Sequence, residues 1–157
     1  MKLISHRGNT FGPNPLKENS PEYIDDAIEK GFDVEIDLWG IDQFFYLGHD
    51  NPQYKISALW LYKRNKNIWI HCKNYKALEV ISNSSVNCNY FWHENDKFTL
   101  TNSGYIWTYP RQEYGFKSIV VMPELNDLPL FHKDDNMIDI SDYRCYGICS
   151  DYVGRMK

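Results

Sequence analysis

The feature that most constrains this chain is FDVEIDLWGIDQFFYLGHD, residues 32–50. Val34, Ile36 and Leu38 alternate with Asp33, Glu35 and Asp37, the period of a strand, so one face is aliphatic and the other carries carboxylates. Glu35 and Asp37 share that second face. Like charges a few Å apart do not both ionise freely, so the pair calls for a cation between the carboxylates or a shared proton. A second strand over 44–47 ends in Gly48, His49 and Asp50, which delivers an imidazole to a strand end, where parallel-barrel enzymes keep their chemistry.

A chain of 157 residues fits one domain with a real core and leaves little room for a second, so 1–157 is read as a single domain. The 16% aromatic share, from 12 Tyr, 5 Trp and 8 Phe, suits either a core filled with large side chains or a ligand groove with stacking platforms. A net charge of -4 without a basic cluster argues against nucleic acid. No apolar run approaches the ~20 residues of a spanning helix. The opening MKLISHRG has no secretory core, so no transmembrane segment and a cytoplasmic location are expected. Cys72, Cys88, Cys145 and Cys149 lack CxxC spacing and are expected as reduced thiols, not as disulfides or a zinc knot.

Along the chain, an apolar strand over 3–5 ends in His6, Arg7 and Gly8, and Gly12, Pro13 and Pro15 then mark a loop. Asn19 or Ser20 can cap a helix with Pro21 at its first position and Gly31 at its end. The connection over 39–43 is too short for a crossover, so strands 33–38 and 44–47 form a hairpin-like excursion. A helix over 56–64, a strand over 67–73 with His71 and Lys73 on one face, and a helix over 75–82 follow. Strands over 89–92, 104–109, 118–122 and 145–150 complete the pattern, with a short helix around 138–143. His132 falls in a polar loop and is expected to be exposed. About eight strands would close a TIM barrel, but a complete one needs about 250 residues. The expected fold is therefore α/β, a trimmed (β/α)8 barrel with several outer helices missing or shortened, one side open or covered by a partner subunit in a homo-oligomer.

The order of motifs resembles the glycerophosphodiester phosphodiesterases of the phosphatidylinositol phospholipase C-like superfamily. His6, Arg7 and Gly8 match the family's HRG, Glu18 and Asn19 its EN, Glu35 and Asp37 its ExD, His49 and Asp50 its HD, and the GICSD of 147–151 looks like its last strand. The fourth strand departs from the pattern: where the family has ExK, this chain reads His71, Cys72, Lys73.

The resemblance implies a metal-dependent phosphodiester hydrolase acting on a small glycerol-, polyol- or glycan-linked phosphodiester. His6 is expected as the base and His49 as the acid, and Arg7 and Lys73 as contacts to the phosphate. Glu35 and Asp37, with Asn19 and His71, are expected to hold Mg²⁺ or Ca²⁺, shifted towards Mn²⁺ if His71 supplies a nitrogen where the family has an acid. Two alternatives stay open: a phosphate- or glycan-binding module without turnover, and a lyase-like enzyme that stops at a cyclic phosphate. For Asn19 a helix cap is the competing role, for Glu18 a solvated surface, and for His93 and Glu94 either substrate contact or structure. Trp107, Tyr109 and Arg111 are read as rim packing.

Overall fold

The computed structural model describes residues 1–84, 86–126 and 137–156. Within them the chain forms β1 (Lys2–His6), α1 (Pro21–Glu29), β2 (Asp33–Ile41), β3 (Phe44–Leu47), β4 (Tyr54–Ile56), α2 (Ala58–Arg64), β5 (Ile68–Cys72), α3 (Tyr75–Ser82), β6 (Asn89–Trp92), β7 (Phe98–Leu100), β8 (Ile106–Thr108), β9 (Ser118–Val121) and β10 (Gly147–Ser150). The strands β6, β5, β2, β1, β10, β9 and β8 lie side by side in that order and run parallel. Antiparallel β7 extends the sheet beyond β8, and β3 and β4 extend it from the far half of β2.

The expected trimmed TIM barrel is not what forms. The sheet is mixed and curls into a half-barrel, β6 and β8 share no ladder, and among the described residues three short α-helices stand in place of the alternating helical shell. Length is the reason. No helix forms between β6 and β7 or between β8 and β9, where the connections are too short for a crossover helix on the outer face. The turn of the chain back towards the β6 edge is held instead by Thr99 Oγ1 to Trp92 O at 2.7 Å and by Asn102, whose N–H bonds Tyr90 O at 3.0 Å and whose side chain accepts from Tyr90 N–H at 2.8 Å and donates to Cys88 O at 3.1 Å. Without a helix over this side, Phe98, Leu100, Ile106 and Phe116 remain exposed.

Three further expectations are corrected. β4 and β7 are additional strands of three residues each, too short for alternation to announce them. The helix over 56–64 starts at Ala58, with Ser57 as its cap, and Ile56 belongs to β4. The helix around 138–143 is absent: Ile138 bridges to Met156, and Ile138 and Ile140, two apart, both point into the core. His132 lies outside the described residues.

The alternation of β2 divides the molecule. Val34, Ile36 and Leu38, with Ile68, Ile70 and Cys72 of β5, face the helices and meet Ile24, Ala27, Leu61, Ala77 and Ile81. Inside the curl, Ile4, Trp69, Phe91, Trp107, Ile119, Val121 and Cys149 form a second core. Phe91 and Trp107 stack there at 4.5 Å, and Trp69 lies 6.0 Å from Trp107. Trp107, read as rim packing, is thus a core residue, and much of the aromatic load fills the space a closed barrel would fill with aliphatic layers. The innermost acid of β2, Asp33, is neutralised by Lys2 Nζ at 3.0 Å and accepts from Trp69 Nε1 at 3.1 Å. Glu35 and Asp37 are left for the other end of the curl.

Local signals set the helix starts. Ser20 Oγ accepts from Tyr23 N–H at 3.4 Å with Pro21 in the first turn. Asn74 caps α3 through Ala77 N–H, accepts from Gly40 N–H, and returns its own amide to Gly40 O at 2.8 Å. This joins β2 to α3 at a point where no Cβ fits: one built on Gly40 would stand 2.8 Å from Ala77 N. Gly40→Ala is therefore expected to destabilise the fold by about 1–3 kcal/mol through overpacking. Gly115→Ala, where nothing lies within 4 Å, should be close to neutral; equal melting temperatures for the two variants would contradict this packing.

Candidate active site

The parallel strands deliver their C-terminal ends to one mouth. β1 runs out at His6, and the next two residues turn in the left-handed region, Arg7 at φ 55 and Gly8 at φ 93. A Cβ on Gly8 would meet Tyr23 Cδ1 at 2.6 Å, so the glycine of HRG is required by close approach as well as by its φ. Asn19 is also left-handed, at φ 62, and its N–H bonds Arg7 O at 3.1 Å. Non-glycine residues held this way cost of order 1 kcal/mol each, and they persist where the surroundings over-determine them.

The surrounding that does so here is Asp37, which has no solvent exposure. Asn19 Nδ2 donates to Asp37 Oδ2 at 2.9 Å, and Asn19 Oδ1 accepts from Asp37 N–H at 2.9 Å. Both ends of the Asn19 amide engage Asp37, so Asn19 orients the carboxylate, and the helix cap falls to Ser20. Arg7 Nε stands 2.9 Å from Asp37 Oδ2, Lys73 Nζ 3.6 Å from Oδ1 and His71 Nδ1 3.0 Å from Oδ1. Burial alone would raise the Asp37 pKa, but His71, Arg7 and Lys73 outweigh it and hold the carboxyl well below the usual range. Glu35 is the opposite case: burial, then the charge of Asp37, push its pKa up.

Glu35, Asp37 and His71 form a trio whose ligand atoms lie within 4.8 Å of one another. Glu35 Oε2 is buried without a hydrogen-bond donor, an expensive state for a carboxylate oxygen, and within hydrogen-bond distance Asp37 Oδ1 meets only the His71 ring. A donor-less buried oxygen beside a second carboxylate and an imidazole nitrogen is the observation that fits a divalent cation.

His6 Nδ1 lies 2.8 Å from Asp151 Oδ1, while its Nε2 faces Glu35 Oε2 at 4.0 Å. Asp151 is steadied by Asn9 Nδ2 at 2.8 Å, and its N–H bonds Glu124 Oε1 at 3.1 Å. Burial disfavours a charged His6, yet the Asp151 hydrogen bond and the Glu35 charge prevail and raise its pKa. His49 follows a tight turn at Gly48, where a Cβ would stand only 2.1 Å from Asn51 O, and Gly48 N–H is tied to Asp37 O at 3.2 Å. Burial, then Arg7, lowers the His49 pKa, so this ring favours the neutral form.

His6, Arg7, Glu35, His49, His71 and Lys73 line a cavity of about 540 Å³. Its remaining lining is largely aromatic and apolar, with Trp92, Tyr109, Pro110, Val121, Met122 and Leu125. Tyr109 stacks on His93 at 3.6 Å, and burial, then the charge of His71, pushes His93 down to about 4. Tyr109, expected as rim packing, lines the cavity, as do His93 and Glu94.

All eight site residues named from the sequence gather at this mouth, with Asp37 and Asn19 beneath the cavity floor. Glu18 is not solvated surface: it accepts from Asn9 Nδ2 at 2.9 Å and Arg7 Nη1 at 3.2 Å. Three functional neighbours escaped the sequence, Asn9, Asp151 and Glu124. Only Asp151 left a signal there, as a carboxylate placed directly after the last apolar strand. No family model, curated protein or solved structure matches this chain. No helix among the described residues is long and apolar enough to cross a membrane.

The His6–Asp151 pair makes a signed prediction. A histidine whose folded pKa lies above the unfolded 6.5 contributes stability that is complete below 6.5 and is lost as pH rises through the folded value. Asp151→Asn should lower the His6 pKa, followed by NMR titration of the ring, and flatten the loss of stability above pH 6.5. An unshifted titration would show that Asp151 does not hold the imidazolium.

Proposed function

We propose that the chain is a metal-dependent phosphodiesterase of the glycerophosphodiester phosphodiesterase type, acting on a small glycerol-, polyol- or glycan-linked phosphodiester. One observation carries this reading: a donor-less buried oxygen of Glu35, the cationic Arg7 and Lys73, and two histidines of opposite electrostatic bias line one cavity, with the Asp37 carboxylate beneath it. A phosphodiester is anionic and a poor electrophile, so its cleavage needs charge neutralisation, a base for the attacking oxygen and an acid for the leaving alkoxide.

Glu35, Asp37 and His71 would hold the divalent cation, which when bound neutralises phosphate charge and polarises the phosphoryl group. Arg7 and Lys73, which meet Asp37 at 2.9 and 3.6 Å, offer a forked guanidinium and a point ammonium to the phosphate oxygens. The electrostatic bias reverses the expected histidine roles. His49, favoured neutral, is suited to take the proton of the attacking oxygen, and His6, favoured protonated by Asp151, to give one to the leaving alkoxide. The aromatic and apolar lining suits the carbon face of the alcohol, as a sugar or polyol presents it.

A binding module without turnover has one specific observation in its favour: Arg7, Lys73 and His71 already surround Asp37, so its charge can be balanced by protein groups alone. Hydrolysis of a chromogenic phosphodiester with and without divalent ions decides between the two. The expected result is a rate abolished by chelation and reduced by about 10²-fold or more in His6→Ala and His49→Ala. The pH profile should be a bell bracketing 6.5, with the acid limb lost in His49→Ala and the alkaline limb in His6→Ala. Full activity in EDTA would remove the metal, and phosphate binding without turnover would establish the module. Accumulation of a cyclic phosphate would make the enzyme lyase-like.

A further inference from the structure

We propose that the position formed by Glu35, Asp37 and His71 selects a transition-type divalent cation such as Mn²⁺ over Mg²⁺ and Ca²⁺. This deepens the metal-dependent reading and rests on it for the presence of an ion, not for any chemistry on a substrate.

Strand register sets the arrangement. β2 and β5 pair in parallel with Asp37 beside His71, so the ladder itself sets the imidazole against the carboxylate. The ring is fixed from two sides. It stacks on Phe91 at 5.2 Å with the planes 8° apart, and its Nε2 lies 3.1 Å from the backbone oxygen of His93. A carbonyl oxygen only accepts, so Nε2 must carry a hydrogen, and Nδ1 is the nitrogen left to meet a ligand. Nδ1 lies 3.0 Å from Asp37 Oδ1 and 4.0 Å from Glu35 Oε1, and a cation there would take the place of the proton that otherwise pairs the ring with Asp37. An imidazole whose second nitrogen donates to a backbone carbonyl is the usual arrangement of a metal-bound histidine.

The other polar groups do not satisfy these acceptors. Asn19 Nδ2 and Arg7 Nε address Asp37 through Oδ2, not Oδ1. Lys73 Nζ, at 3.6 Å from Oδ1, is beyond hydrogen-bond reach. Glu35 Oε2 remains without a donor and Asp37 Oδ1 meets only His71 Nδ1, in residues that are 3% and 0% exposed. The donor set presented to a cation is therefore two carboxylates and one imidazole, with two positive side chains close by. Mg²⁺ and Ca²⁺ depend on oxygen donors and on negative charge, and both are reduced here. Mn²⁺ and later divalent ions accept imidazole nitrogen and lose less.

The test is ion binding to the folded protein, read by the EPR signal of free Mn²⁺ and by competition with Mg²⁺ and Ca²⁺, in wild type and His71→Glu. Wild type should prefer Mn²⁺ over Mg²⁺ by a ratio that falls about tenfold or more in His71→Glu, where an oxygen donor and a negative charge replace the nitrogen. Mn²⁺ should also broaden the ring resonances of His71 in the wild type, a readout that does not need the variant to fold. The same ratio in both proteins, or unbroadened His71 resonances with Mn²⁺ bound, overturns the proposal. So does a wild type that binds no Mn²⁺. Selective Mn²⁺ binding without cleavage of any phosphodiester would leave this inference standing and remove only the proposed activity.

Discussion

The burial of the Asp37 carboxylate is the constraint on which the rest of the mouth depends. A carboxylate taken out of water costs several kcal/mol unless it is paired and hydrogen-bonded. Asp37 has no exposure, yet the core strand β2 must carry it, because its neighbours Ile36 and Leu38 belong to the helix-facing core. Its partners come from three separate places: Arg7 after β1, Asn19 before α1, and His71 and Lys73 at the end of β5. Satisfying one buried charge thus brings together the groups a phosphodiester would need. It also explains why Arg7 and Asn19 tolerate left-handed backbone: relaxing either would free a partner from Asp37.

The half-barrel supports this mouth unevenly. The helix-backed strands β2 and β5 carry the charged part of the lining, where positions must be held to fractions of an ångström, and α3 is fixed to β2 through Asn74 and Gly40. Strands β8 and β9, with no helix between them, lead into the aromatic and apolar part of the lining, where shape matters more than the placement of single atoms. Stacked Phe91 and Trp107 fill the curl, so a sheet that never closes still has a solid floor under its site. Phe91 does both, packing on Trp107 and holding the ring of His71.

Local chemistry was legible in the residues themselves. The alternation over 33–38 assigned Glu35 and Asp37 to one face and Val34, Ile36 and Leu38 to the other, and Ser20-Pro21 marked a helix start. His71 and Lys73 shared a face by the same period-two argument, and both stand at Asp37. Each of these depends on backbone geometry within a few residues, which sequence spacing encodes directly. The trimmed barrel was a different kind of reading. It counted strands, and neither the three-residue β4 and β7 nor the missing closure between β6 and β8 leaves a periodic trace.

By itself, then, the sequence determined which residue types share each strand face and where the first helix begins, because those follow from φ/ψ periodicity and capping. The tertiary structure alone decided that the Asn19 amide engages Asp37, that Asp151 across 145 positions of chain holds His6, and that His6 and His49 carry opposite electrostatic bias. Those outcomes are set by which atoms of distant strands meet when the sheet curls, and by the burial that follows. A hydrogen bond between residues so far apart in the chain has no local pattern to announce it.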